Sequence, residues 1–251
     1  MNDLKYDSLD PSDLRRISEA ILGVPRVNGV ENIENIFQTV NPRCIFFKNV
    51  CKGADLLDLG AGDGGLSVYK KWPAHERPDV KLHGLSLDVG VHHEQYSSWE
   101  IANFEEDNSL FGGRQFDAVV CAHFIEHMKS MEKTVEFLST VLRTSGEVYL
   151  EWPHEISTKM PPREDLIKRG VAISTTNFYD DKTHVCPWDA SYVLRLFEER
   201  GFGCRAAGRI YLPYIGEEMI GRGIASGNAA LTTLGYWAYF GWSQYIVCYK
   251  K

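Results

Sequence analysis

The sequence has few cysteines, and those present follow no metal-binding pattern. The six cysteines among 251 residues are scattered, with no CxxC pair and no zinc-ribbon spacing. The N-terminus also lacks the basic start and apolar run of a secretory signal. These absences argue against a zinc ribbon and predict a reduced, cytoplasmic setting.

Positively charged residues are also fewer than negatively charged ones. Lys and Arg number 27 against 34 Asp and Glu, which gives a formal net charge of -7. Nucleic-acid binding requires clustered cations to neutralise phosphates. The acidic balance therefore argues against a broad nucleic-acid footprint, and we predict no nucleic-acid partner.

No long hydrophobic run is uninterrupted. Residues 223–249 carry no charge, but serines, threonines, glycines, an asparagine and a glutamine break the stretch. A membrane-spanning helix needs about 20 mostly apolar residues. We therefore predict a buried core segment here, without membrane insertion.

What is present suits one α/β domain over residues 1–251, with 44% hydrophobic and 24% charged residues. Short β-rich runs alternate with helical stretches, as in a parallel sheet with crossover helices. The predicted strands are residues 55–60, 82–88, 99–103, 116–122, 147–152 and 243–249. The predicted helices are residues 66–71, 131–143 and 190–200.

Three segments fall outside this alternation. Residues 1–51 predict a helical N-terminal cap, with a helix start in Asp10-Pro11-Ser12-Asp13. Residues 153–189 and 211–240 are long inserts. Inserts that follow strand ends in an open α/β sheet lie over the binding crevice, where we expect both.

A glycine-rich turn follows the first predicted strand. Gly60, Gly62 and Gly65 match GxGxxG, with Ala61 and Asp63 between them. Glycines allow a tight turn and a close approach of ligand to backbone. The pattern alone is weak, because nicotinamide and flavin enzymes share it and a plain strand-to-helix turn also satisfies it.

Carboxylates around this turn indicate a cationic ligand. Asp58 lies inside the strand and Asp63 inside the turn, and both would repel a pyrophosphate. They suit S-adenosylmethionine, which carries an ammonium and a sulfonium. Asp88 ends the second strand and can accept both ribose hydroxyls, although dinucleotide sites use the same device.

These motifs resemble those of the Rossmann-like (class I) S-adenosylmethionine-dependent methyltransferases. The resemblance covers residues 54–202 and rests on DLLDLGAGDGG at 55–65, GLSLD at 84–88, FDAVVCAHFIEHM at 116–128, LRTSGEVYLEWP at 142–153 and RGF at 200–202. It implies S-adenosylmethionine as the cofactor. It also implies an α/β fold with a doubly wound, seven-stranded, mostly parallel sheet, in which residues 243–249 form the antiparallel strand.

The resemblance also implies roles for single residues. Asp58 and the glycines would face the methionine part of the cofactor, with His123 beside it, while Asp88 would hold the ribose. Asn103 and Phe104 resemble the residues that flank adenine. The family often has an Asp where this chain has Asn103, whose amide can still pair with the adenine edge.

Two histidines are candidate catalytic residues. His127, in the Glu126-His127 pair after the fourth strand, is a general base or acceptor contact, or else the pair braces the next helix. His184 lies in Asp181-Lys182-Thr183-His184, which resembles an Asp-x-x-His segment of methyltransferases that modify sugars, lipids and similar hydroxylated molecules.

The environment of His184 leaves several roles open. Asp181 or Asp180 could orient His184 as a base, and the same three residues could bind a divalent metal. A loop salt bridge or a helix cap is the plainer alternative. Our prediction takes His184 and then His127 as the base, places Trp152 and Asp181 with His184 at the acceptor, and assigns no metal ligand.

The sequence therefore predicts transfer of a methyl group to a small-molecule or glycan acceptor. The preferred acceptor is a hydroxyl of a sugar, polysaccharide or related metabolite, and residues 153–189 and 211–240 would form the acceptor site. One alternative is a dinucleotide-dependent oxidoreductase on the same glycine turn. Another is a non-catalytic binding protein that kept the fold.

Overall fold

The computed structural model describes residues 30–106 and 110–251, and it is built around one seven-stranded sheet. The strands are β1 (Asp55–Leu59), β2 (Lys81–Ser86), β3 (Ser98–Ile101), β4 (Phe116–Ala122), β5 (Leu142–Pro153), β6 (Phe202–Arg209) and β7 (Ser243–Lys250). Their order is β3-β2-β1-β4-β5-β7-β6. Only β7 runs antiparallel to its neighbours, which confirms the predicted doubly wound sheet.

Seven α-helices surround the sheet in the described part of the chain. They are α1 (Val30–Val40), α2 (Pro42–Asn49), α3 (Met131–Val141), α4 (Arg163–Lys168), α5 (Ala190–Glu199), α6 (Pro213–Ser226) and α7 (Ala229–Phe240). Short 3₁₀ turns follow β1 (Gly65–Lys70) and β4 (Ile125–His127). Side chains of Ser130, Asp189 and Asn228 accept hydrogen bonds from the first turns of α3, α5 and α7 and so fix where these helices begin.

Both faces of the central strands are buried, which explains the nearly continuous apolar runs of β1 and β4. On one face Leu57 and Val119 belong to the core that includes Leu138 of α3 and Phe197 of α5. The other face belongs to a second core, with Phe47 of α2. Residues of β1 and β4 alternate between these two cores, so neighbouring side chains serve opposite layers.

A helical hairpin, α6 and α7, forms the second predicted insert and packs against α1. Met219, Leu231 and Ala238 of the hairpin form a core with Ile33 and Phe37 of α1. Leu231 and Ala238 are buried, as predicted for the uncharged stretch, whereas residues 224–228 near its start are exposed. Across the described ranges, no helix combines the length and apolar character that crossing a membrane requires.

Several predicted boundaries are wrong by one or two residues, and the start of β5 is wrong by five. β2 ends at Ser86 and β3 at Ile101, so Asp88 and Asn103 lie in the loops beyond them. α3 ends at Val141, and β5 begins at once because Leu142 pairs with Phe116 ahead of a register shift. Residues 66–71, predicted as a helix, fall in the 3₁₀ turn Gly65–Lys70.

The remaining predictions concern the seventh strand and the N-terminal residues 1–51. The sequence implied a seventh strand but did not locate β6. The described part of residues 1–51 is helical, in α1 and α2. The predicted helix start in Asp10-Pro11-Ser12-Asp13 lies outside the described residues.

Candidate active site

The predicted cofactor residues lie along one edge of the sheet. Asp58 lies near the end of β1 and Gly60 directly follows that strand, while Asp88 follows β2, Asn103 follows β3 and His123 follows β4. These four strands are parallel, so their carboxyl ends meet at the same edge. In open α/β sheets this edge is the ligand crevice.

The glycine turn after β1 is shaped by two close approaches. Gly60 has a φ of +80°, and a Cβ at this position would lie 2.5 Å from the ring of Phe124. The N–H groups of Gly60 and Ala61 both donate to the carbonyl of Leu85, at 3.0 and 2.8 Å. Around Gly62, by contrast, an added Cβ would meet only the Gly60 carbonyl at 4.0 Å. The turn is therefore rigid on the sheet side and open on the other, as a ligand cradle requires.

Asp63 stabilises the turn through its own backbone and side chain. Its carboxylate accepts the Gly65 N–H at 2.9 Å, and its carbonyl accepts the His92 N–H at 2.8 Å. The side chain is exposed, so its negative charge faces the solvent side of the turn.

Asp58 is a buried carboxylate beneath the glycine turn. The residue is only 6% exposed, and the Tyr96 hydroxyl donates to its Oδ2 at 2.6 Å. Burial raises the pKa of Asp58 to about 6, against the opposing effects of the Tyr96 hydrogen bond and the nearby Arg43. A positively charged group in the crevice would offset this cost. The sequence carried no signal for Tyr96.

Asp88, Asn103 and Phe104 line the outer part of the same edge. Asp88 is exposed, and its carbonyl accepts the indole N–H of Trp99 at 3.1 Å. The Asn103 side chain caps its own turn by accepting the Glu105 N–H at 3.1 Å. Phe104 packs edge-on against Phe124, with centroids 5.6 Å apart, and so lies next to the glycine turn.

His123 is held between two buried carboxylates. Its backbone has a φ of 53°, a conformation that is uncommon for residues other than glycine. Its ring nitrogens lie 3.3 Å from Glu126 and 3.0 Å from Glu151. Burial lowers its pKa, but the hydrogen bonds to both carboxylates prevail and raise it to about 9. Both nitrogens are thus committed within the protein, and the predicted contact of His123 with the cofactor stays a prediction.

Glu151 joins β5 to the N-terminal helices. The guanidinium of Arg43 in α2 donates two hydrogen bonds to the Glu151 carboxylate, at 3.0 and 2.6 Å. The Tyr149 hydroxyl donates a third at 2.6 Å. Burial raises the pKa of Glu151, but Arg43 and His123 outweigh burial and hold it well below its usual range. This pair was not predicted from the sequence, although a charged residue within the apolar run EVYLEW was a signal for Glu151. Arg43 had none.

A small cavity of about 60 Å³ lies over the buried charges. Helices α1, α2 and α7 and strand β5 contribute to its walls, which include Gln38, Arg43, Glu151 and Trp237. Residues of the 211–240 insert therefore line it. Residues 153–189 are not among its lining residues and approach the strand ends elsewhere.

Residues 181–188 dock on the turn after β4. The N–H groups of Val185 and Cys186 donate to the carbonyl of Glu126 at 2.7 and 3.2 Å. The indole N–H of Trp188 donates to the carbonyl of Ile125 at 2.7 Å. These bonds bring the Asp-x-x-His segment to the Glu126-His127 pair, as neither motif alone could have indicated.

The docking places the two candidate histidines against each other. The rings of His127 and His184 have centroids 4.8 Å apart. Nδ1 of His184 lies 2.6 Å from the carbonyl of Phe178, and Nδ1 of His127 lies 2.9 Å from the Thr183 hydroxyl. Asp181 accepts from that hydroxyl at 2.6 Å and lies 3.9 Å from Nε2 of His184.

Asp180 and Trp152 have other partners. Asp180 accepts the N–H groups of Thr176 and Asn177, each at 2.8 Å, and so caps a turn instead of pairing with His184. Trp152 is fully buried, and its indole N–H donates to the Trp188 carbonyl at 2.8 Å. Its predicted contact with an acceptor stays a prediction.

Comparison with known families identifies the domain type. A family model described as a methyltransferase domain matches residues 34–207, more than half of the chain. A search of curated proteins found no match.

Solved structures with the same fold are similar over most of their length. A SAM-dependent methyltransferase from Archaeoglobus fulgidus is 18% identical with a TM-score of 0.52, covering 85% of this chain and 94% of its own. Coclaurine N-methyltransferase, bound to N-methylheliamine and SAH, is 15% identical with a TM-score of 0.54, and the match covers 90% of this chain and 72% of its own. A provisionally named sarcosine dimethylglycine methyltransferase from Galdieria sulphuraria is 14% identical with a TM-score of 0.55, and the match covers 95% of this chain and 98% of its own. At such identities the similarity concerns the fold.

Proposed function

This chain belongs to the methyltransferase-domain family, and on that premise we propose that it transfers the methyl group of S-adenosylmethionine to a hydroxyl of a small acceptor. Our preferred acceptor class is a sugar, polysaccharide or related metabolite. The observation that carries the cofactor assignment is the buried carboxylate of Asp58 beneath an open glycine turn.

The residues at the strand ends fit S-adenosylmethionine. Gly60, Ala61, Gly62 and Asp63 would hold the methionine part above Asp58, whose ionised form favours an ammonium group. Asp88 would accept the ribose hydroxyls, and Asn103 and Phe104 would flank the adenine. When bound, the cofactor supplies an electrophilic methyl carbon and a neutral thioether leaving group.

The acceptor side is assigned to the turn after β4 and the segment docked on it. Phe124 touches Gly60, and Glu126 and His127 follow directly, so the histidine pair lies close to the cofactor cradle. A hydroxyl acceptor must lose a proton as the new bond forms. His184, oriented by Phe178 and near Asp181, is the first candidate to take this proton, and His127 is the second.

The protein's further contribution is alignment and exclusion of water. In-line displacement requires the acceptor oxygen, methyl carbon and sulfur to be collinear, and a pre-formed pocket supplies this order. Helices α1, α2 and α7 cover the strand ends around the small cavity, where Arg43 and Glu151 compensate each other's charge.

The family match favours this function over a dinucleotide-dependent oxidoreductase. The buried Asp58 carries the same preference, since a pyrophosphate near it would add like charge. A non-catalytic binding protein would form no S-adenosylhomocysteine, whereas the proposed enzyme would form it, so this product distinguishes the two.

The acceptor class is tested by turnover. We expect S-adenosylhomocysteine to form with sugar and polysaccharide hydroxyls, and His184→Gln to lower the rate by about 10²–10⁴-fold with unchanged cofactor affinity. His75→Gln is the matched control, because His75 is exposed and its described contact is through its carbonyl. Turnover with amines but with no hydroxyl acceptor would contradict the proposal.

A further inference from the structure

We propose that Glu126, His127 and His184 form a binding site for a divalent first-row transition-metal ion. One ligand atom from each of these side chains lies within 4.8 Å of the other two. The site joins the turn after β4 to the docked segment 181–188, and our sequence-based prediction assigned no metal ligand to it.

The carboxylate of Glu126 supplies the first observation. The residue is fully buried, and its Oε2 has no hydrogen-bond partner in the described part of the chain. A buried carboxylate oxygen without a partner is costly. The other oxygen, Oε1, is 3.3 Å from Nδ1 of His123. Hydrogen bonding of this kind orients a ligating carboxylate and leaves its second oxygen for a cation.

The histidines supply the second observation. Each ring has Nδ1 engaged, His184 with the Phe178 carbonyl at 2.6 Å and His127 with the Thr183 hydroxyl at 2.9 Å. A hydrogen bond at one ring nitrogen fixes the tautomer and presents the other as a ligand. For His184, donation to a carbonyl puts the proton on Nδ1, so Nε2 carries the lone pair.

The surroundings of the cluster resemble those of a metal site. Asp181 accepts from Thr183 and lies 3.9 Å from Nε2 of His184, so it adds negative charge beside the ligands. Ligands around Zn²⁺ at about 2.0–2.1 Å lie about 3.4 Å apart, so side-chain shifts of about 1 Å close the cluster on an ion. The backbone bonds that hold residues 185 and 186 to Glu126 keep both sides in place.

The donor set selects the class of ion. Two imidazoles and one carboxylate suit Zn²⁺, Co²⁺, Mn²⁺ or Fe²⁺, whereas Mg²⁺ and Ca²⁺ favour oxygen ligands. Three protein ligands leave at least one coordination position for another molecule.

The catalytic consequence rests on the proposed function. An acceptor hydroxyl in the open position would lose its proton to solvent more readily because the ion stabilises the alkoxide. The oxygen–methyl bond then forms as the sulfonium–methyl bond breaks, leaving the neutral thioether and the methylated acceptor. The histidines are ligands in this scheme, and the ion takes over the task of a free imidazole base.

Metal binding is tested directly on the full chain after treatment with a chelator. We expect calorimetry with Zn²⁺ to show one site per chain, and Co²⁺ to develop the visible absorption of a nitrogen- and oxygen-ligated ion. Glu126→Gln and His127→Gln should each lower the Zn²⁺ affinity by more than about 100-fold. His75→Gln should bind like the natural protein, since His75 is exposed and distant in sequence from the cluster.

The outcomes separate this inference from the proposed function. Equal Zn²⁺ binding in the ligand variants and the natural protein would overturn the site, even if methyl transfer is observed. Unchanged activity after chelation would remove its catalytic role. If Glu126→Gln does not fold, as judged by circular dichroism, His127→Gln decides the result because its half-buried ring bears less of the packing.

Discussion

At the scale of single residues, buried charge is concentrated at the carboxyl ends of the central strands, where we propose the active site. Asp58 and Glu151 lie near the carboxyl ends of central strands and His123 and Glu126 follow one, at positions where an apolar side chain would be more stable. Arg43 and His123 compensate Glu151, and His123 in turn approaches Glu126. Among the described residues, Asp58 forms its hydrogen bond with the neutral Tyr96, and burial raises its pKa, so its charge is only partly compensated.

Asp58→Asn tests this imbalance through stability. The pKa of Asp58 rises from 3.8 to about 6 on folding, so between these values the folded state binds more protons than the unfolded state. Its contribution to stability therefore falls as pH rises through this window, and the full cost is present above pH 6. We expect the Asn variant, without cofactor, to be more stable by about 1 to 3 kcal/mol at pH 8 and equal near pH 4.

Urea unfolding at the two pH values measures the effect. Asp165→Asn is the control, because Asp165 is 57% exposed and its pair with Lys168 spans 3.6 Å at the surface. The same Asp58 variant should lose at least about tenfold in cofactor affinity, the equivalent of 1.4 kcal/mol. Natural cofactor affinity in the variant, or a gain in stability over the natural protein that is no larger at pH 8 than at pH 4, would contradict the role given to this carboxylate.

At the scale of elements, the α6–α7 hairpin depends on close backbone contact. A Cβ at Gly235 of α7 would lie 2.7 Å from the backbone nitrogen of Ile220, and one at Gly216 of α6 would lie 2.5 Å from that of Tyr239. These glycines let the two helices touch and place Trp237 over the small cavity.

Gly235→Ala should therefore destabilise the protein. The contact is with backbone, which cannot move as a side chain can, and overpacking typically costs about 1–3 kcal/mol. Gly221→Ala is the matched control on α6, where an added Cβ meets nothing within 4 Å. There alanine should add up to about 1 kcal/mol, from its greater helix propensity. Thermal unfolding of both variants checks the prediction, and equal effects of one sign would refute it.

At the scale of the whole molecule, cofactor binding should couple to global stability. The proposed cofactor site draws on β1, β2, β3 and β4 and on the loops that follow them. At a hundredfold excess over Kd, S-adenosylhomocysteine should stabilise the fold by about 2.7 kcal/mol. For a chain of this size that raises Tm by roughly 5–10 °C. NADH at the same concentration should leave Tm unchanged.

Asp88→Ala provides the internal comparison for this measurement. Asp88 is exposed, so its loss should leave the Tm of the free protein unaltered. The shift produced by S-adenosylhomocysteine should shrink if Asp88 binds the ribose. A larger shift with NADH than with S-adenosylhomocysteine would reverse the cofactor assignment.

The sheet and its glycine turn follow from the order of the amino acids alone. Parallel strands buried on both faces require continuous apolar runs, and β1 and β4 show them within one or two residues of the predicted limits. The turn after Asp58 was equally visible, because few residues other than glycine adopt its positive φ angles. These features are local, so neighbouring residues suffice to specify them.

The tertiary structure alone decided which side chains meet. Arg43 and Glu151 are 108 residues apart, and His127 and His184 are 57 apart, yet each pair is in contact. The start of β5 was equally hidden, since pairing with Phe116 extends it back to Leu142, beyond its own apolar run. Such contacts depend on how strand order and loop docking close long loops, and no local pattern of residues records that.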